Sequence, residues 1–313
     1  MTNTLQSRNA HPITGDPAVG CDAWLAHMVE LAVGRINSAI STFKPKLVVG
    51  LNSGGHDSLS CNLVASKASR FDGCLHVNTG IGIPATRDFV RATCERQSWH
   101  LWEYKAIENT KADGTPDPMD YDAIVRKYGF PGPDAHRFMY VKLKDRCIQR
   151  FLRDVGASPK SPVLFISGAR TEESTRRMGN TKTEPSNYGR SVWLNAIHDW
   201  TKSDTNSLID GLKVERNLVV DLIHKSGECL CGAYAKPGEL EELKQWPLTR
   251  PAYDRIINLQ SEVANRFPWK WEEAPPEWWN EKTDGQTFLL DYDEPESWEQ
   301  PLCHGCNKGA NVR

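Results

Sequence analysis

Residues 47–64 read LVVGLNSGGHDSLSCNLV, a segment that passes from an apolar run through a glycine turn into a helix. Pro45 breaks what precedes it, and residues 46–51 (KLVVGL) form a short apolar run of the kind found in strands buried on both faces. The turn is Ser53-Gly54-Gly55-His56-Asp57-Ser58, followed by a helix expected through residues 59–69. Its chemistry suits an anion. Two glycines let backbone N–H groups turn inward without Cβ obstruction, Ser53 and Ser58 add hydroxyl donors, and the following helix points its positive end at the ligand. The loop fits neither the Walker A pattern nor the dinucleotide G-x-G-x-x-G. A glycine-rich strand-to-helix turn also serves as a plain tight turn, so the rest of the chain has to discriminate.

Upstream, residues 1–20 read as a polar, Pro- and Gly-containing leader. From Asp22, a plausible N-cap, the apolar residues Trp24, Leu25, Met28, Leu31, Ala32, Val33, Ile36 and Ile40 recur at helical spacing. Downstream, strands and helices alternate: strands at residues 74–77, 99–104 and 163–167, and helices at about 84–97 and 138–155, with a polar loop around 109–120. The alternation predicts an α/β fold, a Rossmann-like parallel sheet of the HUP type flanked by helices on both faces. After about residue 226 the texture changes to a Trp-, Pro- and Glu-rich segment (PWKWEEAPPEWW), with helices expected at 237–245 and 251–265. The expected organisation is therefore a leader and N-terminal amphipathic helix (1–44), a nucleotide-binding domain (45–225) and a smaller cysteine-bearing subdomain (226–313).

The 313 residues are 39% hydrophobic and 25% charged, which excludes a wholly disordered chain. No apolar run approaches the ~20 residues that span a bilayer, and the opening residues lack the basic start and apolar core of a signal peptide. A soluble, cytoplasmic protein without a membrane partner is expected. The formal net charge of -2 is unevenly spread: residues 1–225 hold 29 basic and 24 acidic residues, residues 226–313 hold 9 and 16. A mildly basic body suits an anionic ligand but falls well short of the footprint of a general nucleic-acid binder, so a nucleic-acid acceptor stays open without being indicated by charge.

Further segments match the loop. SGGHDS resembles the SGGKDS pyrophosphate loop (PP-loop) of the adenine-nucleotide α-hydrolase superfamily. HVNTGIGIPAT (76–86), ISGARTEESTRRMG (166–179), NAIHDWTKSD (195–204) and HKSGECLCGA (224–233) narrow the resemblance to the phosphoadenosine-phosphosulfate (PAPS) reductase family, which also holds the ATP sulfurylase small subunit and a DNA-phosphorothioation sulfurtransferase. The resemblance implies that Ser53, Gly54, Gly55, Asp57 and Ser58 cradle the phosphates of an adenine nucleotide. Asn78, Thr79 and Gly80 would lie beside that nucleotide at the carboxyl edge of the sheet. Arg170, Arg176 and Arg177 would meet phosphate or sulfate oxygens. Glu172 and Glu173 would orient an arginine, bind Mg²⁺ with the phosphates, or simply start a solvated helix. One position departs from the pattern: His56 stands where the family has lysine. Histidine titrates near physiological pH, so either a pH-sensitive phosphate contact or a changed role is expected there.

Of nine cysteines, Cys21, Cys61, Cys74, Cys94 and Cys147 are scattered singly, as small packed apolar residues would be. A reducing compartment disfavours a disulfide framework. The other four form two close pairs, Cys229/Cys231 and Cys303/Cys306, separated by 71 residues. Four soft sulfur ligands suit Zn²⁺ or an iron–sulfur cluster, four unrelated buried thiols are the plainer alternative, and a redox dithiol at either pair is a third. Superfamily relatives include [4Fe–4S] enzymes, which favours the cluster, but their cysteine spacing differs from this one and the resemblance extends only to the type of centre.

His76, His136, His198 and His224 lie near motifs but have no partner visible in the sequence. Trp269, Trp271, Trp278 and Trp279 suit core or interface filling better than base stacking, given the glutamates around them. Residues 128–136 (YGFPGPDAH) are either a lid or a connection ahead of a helix carrying Lys142, Lys144 and Arg146. The resemblance implies an enzyme cleaving ATP between the α- and β-phosphates to adenylate an acceptor for sulfur transfer, with a sulfur-donor protein as a partner it allows. The alternatives are an APS/PAPS reductase releasing sulfite and a non-catalytic nucleotide-binding subunit. The reductase's Glu-Cys-Gly-Leu-His tail is missing from the chain end CHGCNKGANVR, although Cys229 or Cys231 could substitute.

Overall fold

Helix α1 (Ala23–Phe43) buries Leu25, Met28, Val29, Ala32, Ile36 and Ala39, residues three or four apart that make one stripe against the sheet. Trp24 and Leu31 share the apolar spacing but lie exposed. The structure is a computed structural model, and it describes residues 23–110, 114–117, 120–173, 184–276 and 278. The expected cap Asp22 therefore lies outside the described residues.

Strand β1 (Leu47–Leu51) leads through the glycine turn into α2 (His56–Ala65). This helix starts three residues earlier than its apolar pattern indicates and ends at Ala65, well before residue 69. Nine of its ten residues are buried, so it carries no amphipathic period to mark its start. The chain continues through β2 (Gly73–Asn78), α3 (Pro84–Arg96), β3 (Leu101–Lys105) and α4 (Tyr121–Tyr128). The single helix expected over 138–155 is built as α5 (His136–Tyr140), a π-helical turn (Val141–Asp145) and α6 (Arg146–Asp154). Then come β4 (Val163–Ser167), β5 (Ser186–Asn187), β6 (Ser191–Asn195), α7 (Lys202–Gly211), α8 (Leu218–Ile223), α9 (Glu239–Gln245) and α10 (Arg250–Val263).

The six strands form one sheet in the order β3-β2-β1-β4-β6-β5, parallel except for the two-residue edge strand β5. Strand β6 is absent from the sequence reading because its five residues, SVWLN, run straight into the NAIHDW element without a turn signal. Adjacent strand residues part to opposite faces, as the period of two demands. Val48, Leu164 and Ile166 pack with α1, α2 and α7 on one face. Val49 and Phe165 meet Ile148, Phe151 and Leu152 of α6 on the other. The sheet is thus covered on both sides, as the alternation of elements predicts.

The Trp-rich segment packs on one apolar cluster with α4 and α5: Leu230, Ile256, Leu259, Phe267, Trp269 and Trp271 join Tyr121, Ile124, Phe138 and Met139. Trp269 donates its Nε1–H to the Phe130 carbonyl at 2.8 Å and Trp271 to that of Leu230 at 2.8 Å, so both are core residues with a satisfied polar end. Trp279 lies outside the described residues. Among those residues, no helix is long and apolar enough to cross a membrane.

Candidate functional site

The sheet continues from β1 to β2 on one side and to β4 on the other, so the loops following β1 and β4 meet at the topological switch point. Gly54 takes φ +77°, and a Cβ there would stand 2.6 Å from Thr86 Cγ2. Its N–H donates to Asn52 Oδ1 at 3.1 Å, and its carbonyl accepts from Asn217 Nδ2 at 2.8 Å. Gly55 is extended and α2 has no side-chain cap, which leaves its first-turn N–H groups available to an acceptor from outside the helix. Ser58 donates to the Gly55 carbonyl at 2.8 Å, with Ser53 Oγ 3.3 Å from Ser58 Oγ.

From the loop after β4, Arg170 reaches back to Asp57 in a two-pronged ion pair, in which Nη2 donates to Oδ2 at 3.1 Å and Nε stands 3.0 Å from Oδ1 without hydrogen-bond geometry. Its Nη1 donates to Glu172 Oε2 at 3.1 Å and to the Trp200 carbonyl at 3.3 Å. Arg170 is 4% exposed, and its donors are largely spent inside the protein. Glu172 also accepts the Lys202 N–H at 2.9 Å, tying this loop to the start of α7. Of the readings open for Glu172, orienting Arg170 is the one its contacts match. Gly168 allows the close approach: a Cβ there would lie 2.6 Å from the Asp57 carbonyl oxygen.

His56 faces away from bulk solvent, 6% exposed, with Nδ1 3.3 Å from Arg216 Nη2 and Nε2 3.8 Å from Asp221 Oδ1. A guanidinium only donates, so Nδ1 accepts and the ring is neutral. Burial first, then Arg216, lower its pKa from the ordinary histidine value.

At the end of β2, Asn78 braces its own turn: Nδ2 donates to Glu103 Oε1 at 2.9 Å, and Oδ1 accepts the Gly80 N–H at 3.0 Å and Arg87 Nη1 at 3.2 Å. Glu103 is held down to about 2, chiefly by the hydrogen bond from Arg91. Arg255 of α10 donates to the Gly80 carbonyl and pairs with Asp122 at 2.7 Å. Thr79 is held by a residue the sequence did not single out: its N–H donates to Glu228 Oε1 at 3.0 Å and its hydroxyl to the Glu228 carbonyl at 2.5 Å. His76 Nε2 lies 3.5 Å from Glu228 Oε2. Burial pushes the Glu228 carboxyl up to about 8.

Glu228 precedes the cysteine pair. Cys229 and Cys231 share a small cavity with His136, Met139, Tyr140 and Lys144. The hydrogen bond from the Cys231 thiol, with Lys144 and His136 nearby, lowers the Cys229 thiol, while the same bond and burial push Cys231 up. Lys144 comes from the π-helical turn, a distortion frequent at functional sites. Cys61 and Cys147 are buried singly, Cys74 and Cys94 are buried hydrogen-bonded neighbours, and Cys21 lies outside the described residues.

The structure therefore brings Ser53, Gly54, Gly55, His56, Asp57, Ser58 and Arg170 together at the switch point of the sheet. Through Glu228, it joins Asn78, Thr79 and Gly80 to Cys229 and Cys231. Arg176, Arg177, Cys303 and Cys306 lie outside the described residues, as does the side chain of Glu173. Asn217, Thr86, Arg216, Lys144 and Glu228 also belong to the site. Thr86 closes the HVNTGIGIPAT segment, Lys144 lies on the helix after the 128–136 loop and Glu228 sits beside a close cysteine pair, whereas Asn217 and Arg216 left no signal in the sequence.

No family model and no curated protein matches the chain. Similar solved structures include a PAPS reductase from Candida auris in a phosphate complex, at 16% identity and TM-score 0.44, covering 64% of this chain and 92% of that one. An FMN adenylyltransferase from Candida glabrata, in complex with FAD and inorganic pyrophosphate, is similar at 11% identity and TM-score 0.41, covering 62% of this chain and 61% of that one. A U34-tRNA thiolase from Methanococcus maripaludis with its [4Fe–4S] cluster shares 13% identity at TM-score 0.35, covering 87% of this chain and 82% of that one. None of these similarities assigns a reaction or a residue role.

Proposed function

We propose that residues 53–58 bind the phosphates of an adenine nucleotide and that the chain is an enzyme cleaving ATP between its α- and β-phosphates. The acceptor's nucleophile takes the adenylyl group, pyrophosphate leaves, and a sulfur nucleophile then displaces AMP. The observation that carries this reading is the uncapped start of α2 behind Ser53, Gly54 and Gly55, set at the switch point of the sheet. Ser53 and Ser58, whose hydroxyls donate to Ser58 Oγ and the Gly55 carbonyl, would turn these donors to the phosphates on binding, and Arg170 acts by fixing Asp57 at the mouth of the loop. Arg176 and Arg177 are assigned to the outer phosphates by the motif alone, and Asn78, Thr79 and Gly80 to the nucleotide's flank. Both Asp57 oxygens are engaged by Arg170, and no group of three His, Cys, Asp or Glu that could hold a metal occurs among the described residues. Mg²⁺ bound together with the phosphates is part of this reading.

Cys229 and Cys231, side by side with the thiolate favoured at one, fit half of a four-sulfur site that Cys303 and Cys306 would complete. A [4Fe–4S] cluster is the first choice and Zn²⁺ the second, and either would supply a thiolate-bound centre next to the acceptor. A brown, anaerobically purified protein absorbing at about 400 nm supports the cluster, and a colourless protein with bound zinc rules it out.

Cys229 at the nucleotide edge also supports a second reading, reduction of APS or PAPS by thiol attack with release of sulfite. One assay separates the readings. Pyrophosphate and AMP from ATP support the first. Sulfite from APS or PAPS with a dithiol, and no ATP cleavage, replaces it with the second. Nucleotide binding without turnover leaves a non-catalytic subunit, which would need a partner such as a sulfur-donor protein.

A further inference from the structure

His76 is completely buried, and its Nδ1 lies 2.8 Å from the Asn52 carbonyl. A carbonyl only accepts, so Nδ1 carries its hydrogen, while Nε2 faces Glu228 Oε2 at 3.5 Å, a polar contact without hydrogen-bond geometry. Asn52 is the residue ahead of Ser53, and its side chain accepts the Gly54 N–H. At the other end, Glu228 accepts twice from Thr79 and is covalently joined to Cys229. Asn52, His76, Thr79 and Glu228 are each buried, so this chain of polar contacts runs from the phosphate loop to the cysteine pair without meeting solvent.

A buried carboxyl is costly, and an apolar side chain would pack the same space more cheaply. What Glu228 adds is direction. The segment before the cysteines is docked on the turn after β2 by further contacts: Ile83 N–H to the Gly227 carbonyl at 2.9 Å and Thr86 hydroxyl to the Ser226 carbonyl at 2.6 Å. Gly82 makes room, since a Cβ there would lie 2.5 Å from the Glu228 carbonyl oxygen. Thr86 and Gly54 are in turn both held by Asn217.

We propose that Glu228 is a positioning residue that fixes Cys229 and Cys231 at the nucleotide edge of the sheet, so that a filled phosphate loop and an ordered cysteine segment stabilise each other. This rests on the reading of residues 53–58 as a nucleotide loop. The test is hydrogen–deuterium exchange of the full chain with and without an ATP analogue that cannot be split between its α- and β-phosphates. In the wild type, the nucleotide slows exchange at 53–58 and, by about fivefold or more, at 224–233. Glu228→Gln keeps both effects, because its amide N–H faces His76 Nε2 while its oxygen still accepts from Thr79. Glu228→Ala keeps the slowing at 53–58 and loses it at 224–233. If Glu228→Ala does not fold, Thr79→Val removes the hydroxyl bonds to the Glu228 carbonyl and Oε1, keeps the N–H bond to Oε1, and weakens the same response. Unchanged slowing at 224–233 in whichever of these two variants folds overturns the proposal. So does a wild type that responds at 53–58 alone. A wild type that responds at neither segment overturns the nucleotide reading itself, and the proposal with it.

Discussion

Arg170 and Asp57, 113 residues apart, form a two-pronged ion pair that locks the loop after β4 onto the first turn of α2. The arginine is 4% exposed, so the pair acts with little screening on its side. Removing one partner leaves the other poorly solvated. Arg170→Ala is expected to cost about 3 kcal/mol in chemical denaturation and to abolish nucleotide binding. Arg170→Lys is expected to recover less than half of that cost, because an ammonium cannot reproduce the fork.

Gly54 and Gly80 both have positive φ, at +77° and +81°, but only Gly54 is crowded. Gly80→Ala meets nothing within 4 Å and is expected to cost about 1 kcal/mol from the backbone alone. Gly54→Ala must in addition displace Thr86, and is expected to lower stability further and to eliminate nucleotide binding. Thermal melts with and without nucleotide check both, and equal effects at the two positions would refute the assignment.

His56 sets a pH dependence with a definite sign. Its folded pKa lies below the unfolded value of about 6.5, so between the two the unfolded chain binds more protons. Its contribution is intact above about 6.5 and is lost as pH falls through the folded value. The groups facing it are Arg216, Asp221, Asn217 and Asp57. Wild-type protein is expected to melt at lower temperature at pH 5.5 than at pH 7.5, with a smaller difference in His56→Gln. Parallel profiles would show that position 56 does not titrate in this range.

Asp145, in the π-helical turn, is pushed up to about 6 by burial. Here the folded chain holds the proton longer, so stability declines as pH rises from the unfolded value towards about 6. Asp145→Asn is therefore expected to stabilise the protein at pH 7 by about 2 kcal/mol in chemical denaturation and to change little at pH 4.

Much of this site was visible in the residues themselves. The strand–loop–helix at 47–65 follows from an apolar run, two glycines and two serines, all local features that need no partner. Trp269 and Trp271 were read correctly as core from the glutamates around them, whereas Trp278, given the same reading, is 47% exposed. Helix α2 was misplaced at both ends for the opposite reason: buried on nearly every side, it shows no period. The break in the helix at 141–145 left no mark either, since a π turn changes hydrogen-bond spacing without needing a special residue.

The sequence by itself determined the sheet class, the glycine turn between β1 and α2 and the closeness of Cys229 to Cys231, because periodicity, glycine placement and short spacing act between near neighbours. Only the tertiary structure decided that His56 turns to Arg216, that Arg170 spends its donors on Asp57 and Glu172, and that Glu228 ties Thr79 to Cys229. Of these, His56–Arg216, Arg170–Asp57 and Glu228–Thr79 join residues 113 to 160 positions apart. They exist because the parallel sheet gathers the carboxyl ends of its strands at one edge, where low solvent access makes pairing of polar groups favourable.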